Sequence, residues 1–114
     1  MSQSSLEGVL RIPALLARAA RDWPERTALV CGTRRVDYRR YAAEVWATAR
    51  HLRVHAPCGA RIATLLGNSD LACVVTLALQ CSGNQHVPLN PLYTARELEF
   101  ILRDAQPALL IADA

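Results

Sequence analysis

The predicted fold class is α/β: an N-terminal hairpin and helices followed by a βαβαβ parallel-sheet unit. Three observations predict it. Residues 61–66 and 108–112 are apolar runs without polar alternation, residues 86–89 form a third short run between them, and both intervals carry helical periodicity. Parallel strands lack alternation because helices cover both their faces, and right-handed crossovers lay such a series down as one sheet.

Each element has its local reason. A helix begins near Pro13, since proline suits the first helical turn, and Leu15, Leu16, Ala19, Ala20 and Trp23 form its apolar stripe until Pro24 stops it. Residues 28–31 and 34–37 read as two strands of a hairpin, with Gly32 supplying positive φ in the two-residue turn. Asp37 offers its carboxylate as the cap of a second helix, whose core positions are Tyr38, Tyr41, Ala42, Val45, Ala49 and Leu52. Arg39, Arg40, Glu44, Arg50 and Arg53 fall on its wet side. After the strand at 61–66, Asn68 or Ser69 caps a helix over 70–82 that is apolar almost all round and is therefore expected to be enclosed, with Gly83 ending it. Following the strand at 86–89, Thr94 and Glu97 form a capping box, and Leu98, Ile101, Leu102 and Ala105 form the buried stripe of the next helix. Pro107 closes that helix before the last strand, and the sequence stops two residues after Ala112, where a further covering layer is expected.

Length and composition exclude several classes. A chain of 114 residues, 52% hydrophobic and 20% charged, is one domain at most, neither disordered nor a complete two-substrate enzyme. Residues 1–8, polar and without periodicity, read as a disordered leader, leaving 9–114 as a partial domain. Every basic residue is arginine and these are spread along the chain rather than grouped with aromatics, so the net charge of +3 does not mark a nucleic-acid partner. The four cysteines form no C-x-x-C pair, and the N-terminus lacks the basic-then-apolar order of a signal peptide, so the cytoplasm is expected. The longest apolar run, 71–79, is interrupted by Thr76 and falls short of the ~18 residues that span a bilayer.

The local constellations carry little chemistry. Gly67, Asn68 and Ser69 stand between a strand and a helix N-terminus, where an anion can bind, but without further glycines they read as a helix cap. With no lysine in the chain, a Walker A loop is excluded. His51, His55 and Cys58 have spacings that suit a metal but lack a fourth ligand. Ser4, Ser5, Ser69 and Ser82 lack the context of a nucleophile. Cys73 and Cys81 read as small hydrophobes in the enclosed helix, Cys31 and Cys58 as residues near turns without an activating partner. Gln85 and His86 enter an interior strand, pointing either into a pocket or to hydrogen-bond partners nearby.

Taken together, three stretches resemble the N-terminal region of the adenylate-forming superfamily, the AMP-dependent synthetases and ligases that include the AMP-forming acyl-CoA synthetases. Trp23, Pro24, Ala28, Leu29 and Val30 are similar to its W-P-x-x-x-A-L-V turn and first strand, followed by R-x-x-Y from Arg35 to Tyr41. Residues 59–69 resemble G-D-R-V-A-x-x-L-x-N-S. Residues 83–98, with Pro88, Leu89, Asn90, Pro91, Thr94, Glu97 and Leu98, resemble G-A-V-x-V-P-L-N-P-x-x-T-x-x-E-L. Asn84 and Gln85 depart from this pattern, standing where small or branched apolar residues are usual. Ala60 and Gly67 replace the common Asp and Pro.

The resemblance implies an incomplete piece of the large N-terminal domain of a ligase. The complete enzyme would use ATP and magnesium to turn a carboxylic acid into an acyl-adenylate, then pass the acyl group to coenzyme A, as in fatty acid metabolism. In the family, the Ser/Thr/Gly-rich loop ending in P-K-G, the acidic nucleotide-binding motifs and the catalytic lysine all lie downstream. No catalytic, cofactor-binding or metal residue is therefore assigned within 1–114. The chain alone is expected to bind no ATP, magnesium or coenzyme A and to be inactive, with the remainder of a synthetase as its implied partner. The alternative is a stand-alone α/β binding or interaction module, which would require the last strand to be sealed on both faces by the chain itself.

Overall fold

The computed structural model describes residues 11–113, so the leader expected at 1–8 lies outside the described residues. The elements are α1 (Ile12–Asp22), β1 (Thr27–Cys31), β2 (Arg34–Asp37), α2 (Tyr38–His55), β3 (Arg61–Leu65), α3 (Asp70–Cys81), β4 (Gln85–Pro88), α4 (Ala95–Ala105) and β5 (Leu109–Ala112). β1 and β2 pair antiparallel around a turn in which Gly32 takes φ 61°, the position where a II′ turn demands glycine. β3, β4 and β5 form a parallel sheet in the order β4-β3-β5.

The caps act as the sequence requires. Asp37 accepts from Arg40 N–H at 2.8 Å, Ser69 from Ala72 N–H at 3.2 Å, and Thr94 Oγ1 from Glu97 N–H at 3.2 Å. In each case a short side-chain oxygen satisfies an orphan donor of the first helical turn.

The core lies between α2, α3 and one face of the sheet. Val45, Ala49 and Leu52 of α2 share one buried cluster with Val74, Val75, Ala78 and Leu79 of α3 and with Ile62 of β3. Tyr41 crosses the seam, its hydroxyl donating to Cys73 O at 3.0 Å, and burial first, then the neighbouring Cys73 and Cys81, push its pKa up to about 12. Outside the seam, Arg34 bridges Glu44 (3.1 Å) and Asp70, fastening the hairpin to both helices. Arg34 is half exposed, so each of these pairs is worth at most about 1 kcal/mol.

Sheet faces follow from register. Ile62 pairs with His86 and Leu109, and Thr64 with Pro88 and Ile111, so these share the face toward α2 and α3. Ala63, Val87 and Leu110 share the other. The step from β3 to β4 runs opposite to the step from β4 to β5, so right-handed crossovers place α3 and α4 on opposite faces. β3 is covered on both, with Ile62 and Ala63 each 0% exposed.

Several expected burials do not occur, and one reason explains them: periodicity shows which side of a helix is apolar, not whether another layer reaches it. In α1 only Leu16 is buried, while Leu15 and Trp23 are exposed, the latter with the Arg26 guanidinium 5.2 Å from its ring. α3 was expected to be enclosed, yet Leu71, Cys73 and Thr76 are exposed. The stripe of α4 is only half-buried, and no residue of that helix is fully buried. Of its capping box only the Thr94 half is formed among the described contacts. The last strand has Leu109 and Ile111 half-buried and Leu110 and Ala112 exposed, so the described residues do not seal it on both faces as a stand-alone module would require. The Cα radius of gyration of 15.6 Å exceeds the ~13 Å of a compact 100-residue domain, as expected of an open-faced layer.

At the amino end of the sheet the loops are closed by a polar knot. Asn84 Nδ2 donates to Pro57 O (2.8 Å) and Ala60 O (3.2 Å), and Ser82 Oγ donates to Asn84 Oδ1 (2.6 Å). Gly83 takes φ 75°, and a Cβ there would lie 2.7 Å from Cys58 Sγ. Gly83→Ala is expected to cost about 1 kcal/mol in urea unfolding, from the left-handed φ, because the exposed Cys58 side chain can swing its Sγ away from the new Cβ; a cost several times larger would contradict a movable Cys58.

Candidate functional site

In open α/β sheets, ligands settle beyond the carboxyl ends of the strands where successive crossovers leave on opposite faces. With the first strand of the sheet in its middle, in the order β4-β3-β5, that place lies between β3 and β5. Its wall on the β3 side is the turn Leu66, Gly67, Asn68 and Ser69, and on the β5 side Ala112 and Asp113. The crevice is closed rather than open, because the β3 turn is bonded to Asp113, and on the β4 side Leu89 is 5% exposed with its N–H donating to Thr64 O at 2.8 Å.

Two of the groups that an anion would use are already engaged. Gly67 N–H donates to Asp113 Oδ2 at 2.7 Å, a bond that the family's usual proline could not make. Ser69 Oγ is occupied as the α3 cap. The turn thus holds its own carboxylate and its own helix start, which agrees with the capping reading of Gly67 to Ser69. A triphosphate would find no free cradle there and no lysine, so these residues do not fit the ATP and magnesium implied for the complete enzyme. Nor do they offer coenzyme A a built site.

His86 sits in a partly buried, hydrogen-bonded environment. Its Nε2 and Thr64 Oγ1 share a hydrogen bond of 2.7 Å, and burial pushes its pKa below the usual value. Gln85 is exposed and accepts from Arg61 Nε at 3.3 Å. Both residues are therefore tied to neighbours on β3 rather than directed together into a pocket.

The remaining candidates stay apart. His51 and His55 meet edge to face with centroids 4.6 Å apart, while the Cys58 thiol points to Gly83 O at 3.6 Å. Among the described residues no three His, Cys, Asp or Glu side chains group closely enough for a metal ion. Cys31 and Cys81 are half-buried and Cys58 and Cys73 exposed, all four free. Burial raises the Cys81 pKa, which keeps that thiol protonated and unreactive. Ser82 is buried in the Asn84 knot, and Ser4 and Ser5 lie outside the described residues.

One feature escaped sequence reasoning. A cleft of about 940 Å³ opens between α1, α2 and the end of α3, with Arg11, Arg50 and Arg53 on its rim and Trp46 in its wall. Arg53 donates to Cys81 O at 2.9 Å and so caps the α3 carboxyl end. No sequence signal places α1 beside α2 at that angle.

The His86 environment fixes a pH dependence. The unfolded chain protonates His86 near about pH 6.5, but the folded imidazole does so only at lower pH. Stability therefore falls as pH drops below about 6.5 and levels off beneath the folded pKa. His86→Gln keeps a partner for Thr64 and removes this term. Urea unfolding of both proteins across that range is expected to show a shallower slope for the variant; equal slopes would contradict the buried neutral imidazole.

The family described as AMP-binding enzyme matches residues 16–114. N-(5-amino-5-carboxypentanoyl)-L-cysteinyl-D-valine synthase of Amycolatopsis lactamdurans is 34% identical over 90% of this chain, which spans 3% of that protein. A long-chain-fatty-acid–CoA ligase of Bacillus subtilis is 28% identical over 88% of the chain and 18% of its own length. The NpsA N-terminal subdomain of Klebsiella oxytoca, solved in complex with 3-hydroxyanthranilyl-AMSN, superposes with a TM-score of 0.84 at 27% identity, over 90% of this chain and 27% of that one. The chain thus spans a small fraction of the length of much longer relatives in sequence, and about a quarter of the subdomain in structure. No helix among the described residues is long and apolar enough to cross a membrane. By sequence and by fold, this chain belongs to the AMP-binding enzyme family.

Proposed function

We propose that the chain serves as the scaffold front of an adenylate-forming domain, one that activates a carboxylic acid with ATP and magnesium and hands the acyl group to a thiol. The observation that carries this reading is the superposition, over 90% of the chain, on a subdomain solved with an AMSN compound. The chemistry needs cations and hydrogen-bond donors fixed around the phosphates and the carboxylate. The described residues contribute something else: a dry central strand, three capped helices and a closed crevice that together set the position of whatever packs beside them. Catalytic groups are supplied by the remainder of the synthetase, in the cytoplasm.

The acceptor thiol divides the reading in two. Relatives named as peptide synthetases predominate, among them the cysteinyl-valine synthase and tyrocidine synthase 3, which favours an amino-acid-activating domain of a nonribosomal assembly line. The match to the Bacillus subtilis ligase supports the second reading, transfer to coenzyme A.

The test is a replacement. The purified 114-residue chain alone is expected to give no carboxylate-dependent ATP–pyrophosphate exchange. Substituted for the matched segment of the Klebsiella oxytoca NpsA N-terminal subdomain, it is expected to support binding of 3-hydroxyanthranilyl-AMSN. Exchange by the chain alone, or a folded chimaera that does not bind, would overturn the proposal.

A further inference from the structure

The ion pairs of the described residues leave one cationic cluster without a counter-charge. Arg18 and Arg21 pair with Asp22, Arg34 and Arg40 with Glu44, and Arg103 with Glu99. Arg11, Arg50 and Arg53 instead meet around the cleft of about 940 Å³ between α1, α2 and the end of α3. All three are exposed, none has an ion pair among the described residues, and no Asp or Glu is among the described residues that line the cleft. Beside them the wall is apolar: Ile12 is 45% exposed, Trp46 is half-buried and Ala49 is buried. The Arg53 bond to Cys81 O anchors its guanidinium at that wall. Like charges gathered over an apolar wall focus a positive field, so the cleft favours negative charge.

Its place separates it from the crevice at Gly67. α3 leaves the carboxyl end of β3 and returns the chain to the amino end of the parallel strand β4, so its last turn and the cleft lie at the opposite end of the sheet. A ligand here therefore does not compete with one at the switch point, and the site stands independently of the function proposed above.

The shape of the cluster selects the ligand. Arg50 and Arg53 are three apart on α2, which puts their Cβ atoms about 5–6 Å apart on one side of the helix. Carboxylates three or four apart on a second helix have the same spacing, and guanidinium and carboxylate pair in a fork. A free inorganic anion would use the arginines and leave the wall in water. Single-stranded nucleic acid stacks on several aromatic platforms, whereas Trp46 is the sole aromatic among the described lining residues. An amphipathic acidic helix uses both surfaces.

We propose that this cleft is a docking site for an acidic amphipathic helix of a partner protein. Its apolar side chains settle against Ile12 and Trp46, and its carboxylates pair with Arg11, Arg50 and Arg53.

The probe is a dye-labelled synthetic peptide with glutamate and leucine at helical spacing, followed by fluorescence anisotropy on the 114-residue chain and on the NpsA chimaera. The peptide is expected to bind both, more weakly as salt rises. Arg50→Glu is expected to weaken binding by at least about tenfold. Arg39→Glu makes the same charge change on α2 outside the cleft and is expected to alter it less than about twofold. Should Arg50→Glu not fold, Arg50→Gln and Arg11→Glu read the same contrast. Replacing the peptide's leucines by serine is expected to weaken binding by about tenfold as well. No binding to either protein would overturn the proposal, and equal losses with Arg39→Glu and Arg50→Glu would reduce it to attraction by net charge. Undiminished binding of the serine peptide would make the cleft an anion site without a groove, and displacement of the peptide by an equally charged oligonucleotide would change the class of partner. Much tighter binding after deletion of residues 1–10 would make that segment the occupant, and a dimer broken by Arg50→Glu would make a second copy the occupant; each of these overturns it.

Discussion

A parallel strand cannot leave either face in water without exposing the branched apolar side chains that made it a strand, and here only β3 satisfies that constraint. Ile62 presses on the α2–α3 seam while Ala63 faces α4, and neither has any exposure. The rest of the architecture is arranged around that strand. α3 returns the chain to β4, α4 returns it to β5, and the hairpin and α1 buttress α2 from outside, with Arg34 linking the hairpin to Glu44 and Asp70. The constraint weakens outward, so that β5, on the same sheet, keeps one face half-buried and one face exposed.

Element identity was legible because it is local. The turn at Gly32, the caps at Asp37, Ser69 and Thr94, and the apolar runs of β3 and β5 depend on residues within a few positions of one another. Depth of burial was not legible, because it depends on what else is present. α3 reads as apolar all round, and its sequence is right about the surface it offers; the exposed Leu71 and Cys73 show that nothing within the described residues covers that side. The same holds for Leu15, Trp23 and Phe100.

Departures from the family pattern carried more information than agreements. Asn84, standing where apolar residues are usual, is the centre of a network that satisfies the Pro57 and Ala60 carbonyls and ties β3 to β4 at their amino ends. Gly67, standing where proline is usual, frees an N–H for Asp113 and so fastens the end of β5 to the β3–α3 turn. Neither partner could be read from spacing, since each lies more than twenty residues away in sequence. What looked in the sequence like fragments of a site, the Gly67 turn and the Gln85–His86 pair, are polar groups satisfying each other within a scaffold; the described residues leave no buried side-chain polar atom unpaired.

The central claim is that this chain builds a complete middle strand and an incomplete outer one. Residue-resolved amide hydrogen exchange on the free 114-residue chain tests it most directly, since exchange reports whether each N–H is paired and how often it opens. The account expects Ile62, Ala63 and Thr64 to exchange slowest and the outward amides of Leu110 and Ala112 to exchange orders of magnitude faster. Equal protection of Leu110 and Ala112 with Ile62 would show that the outer strand is already paired and covered, and would contradict it.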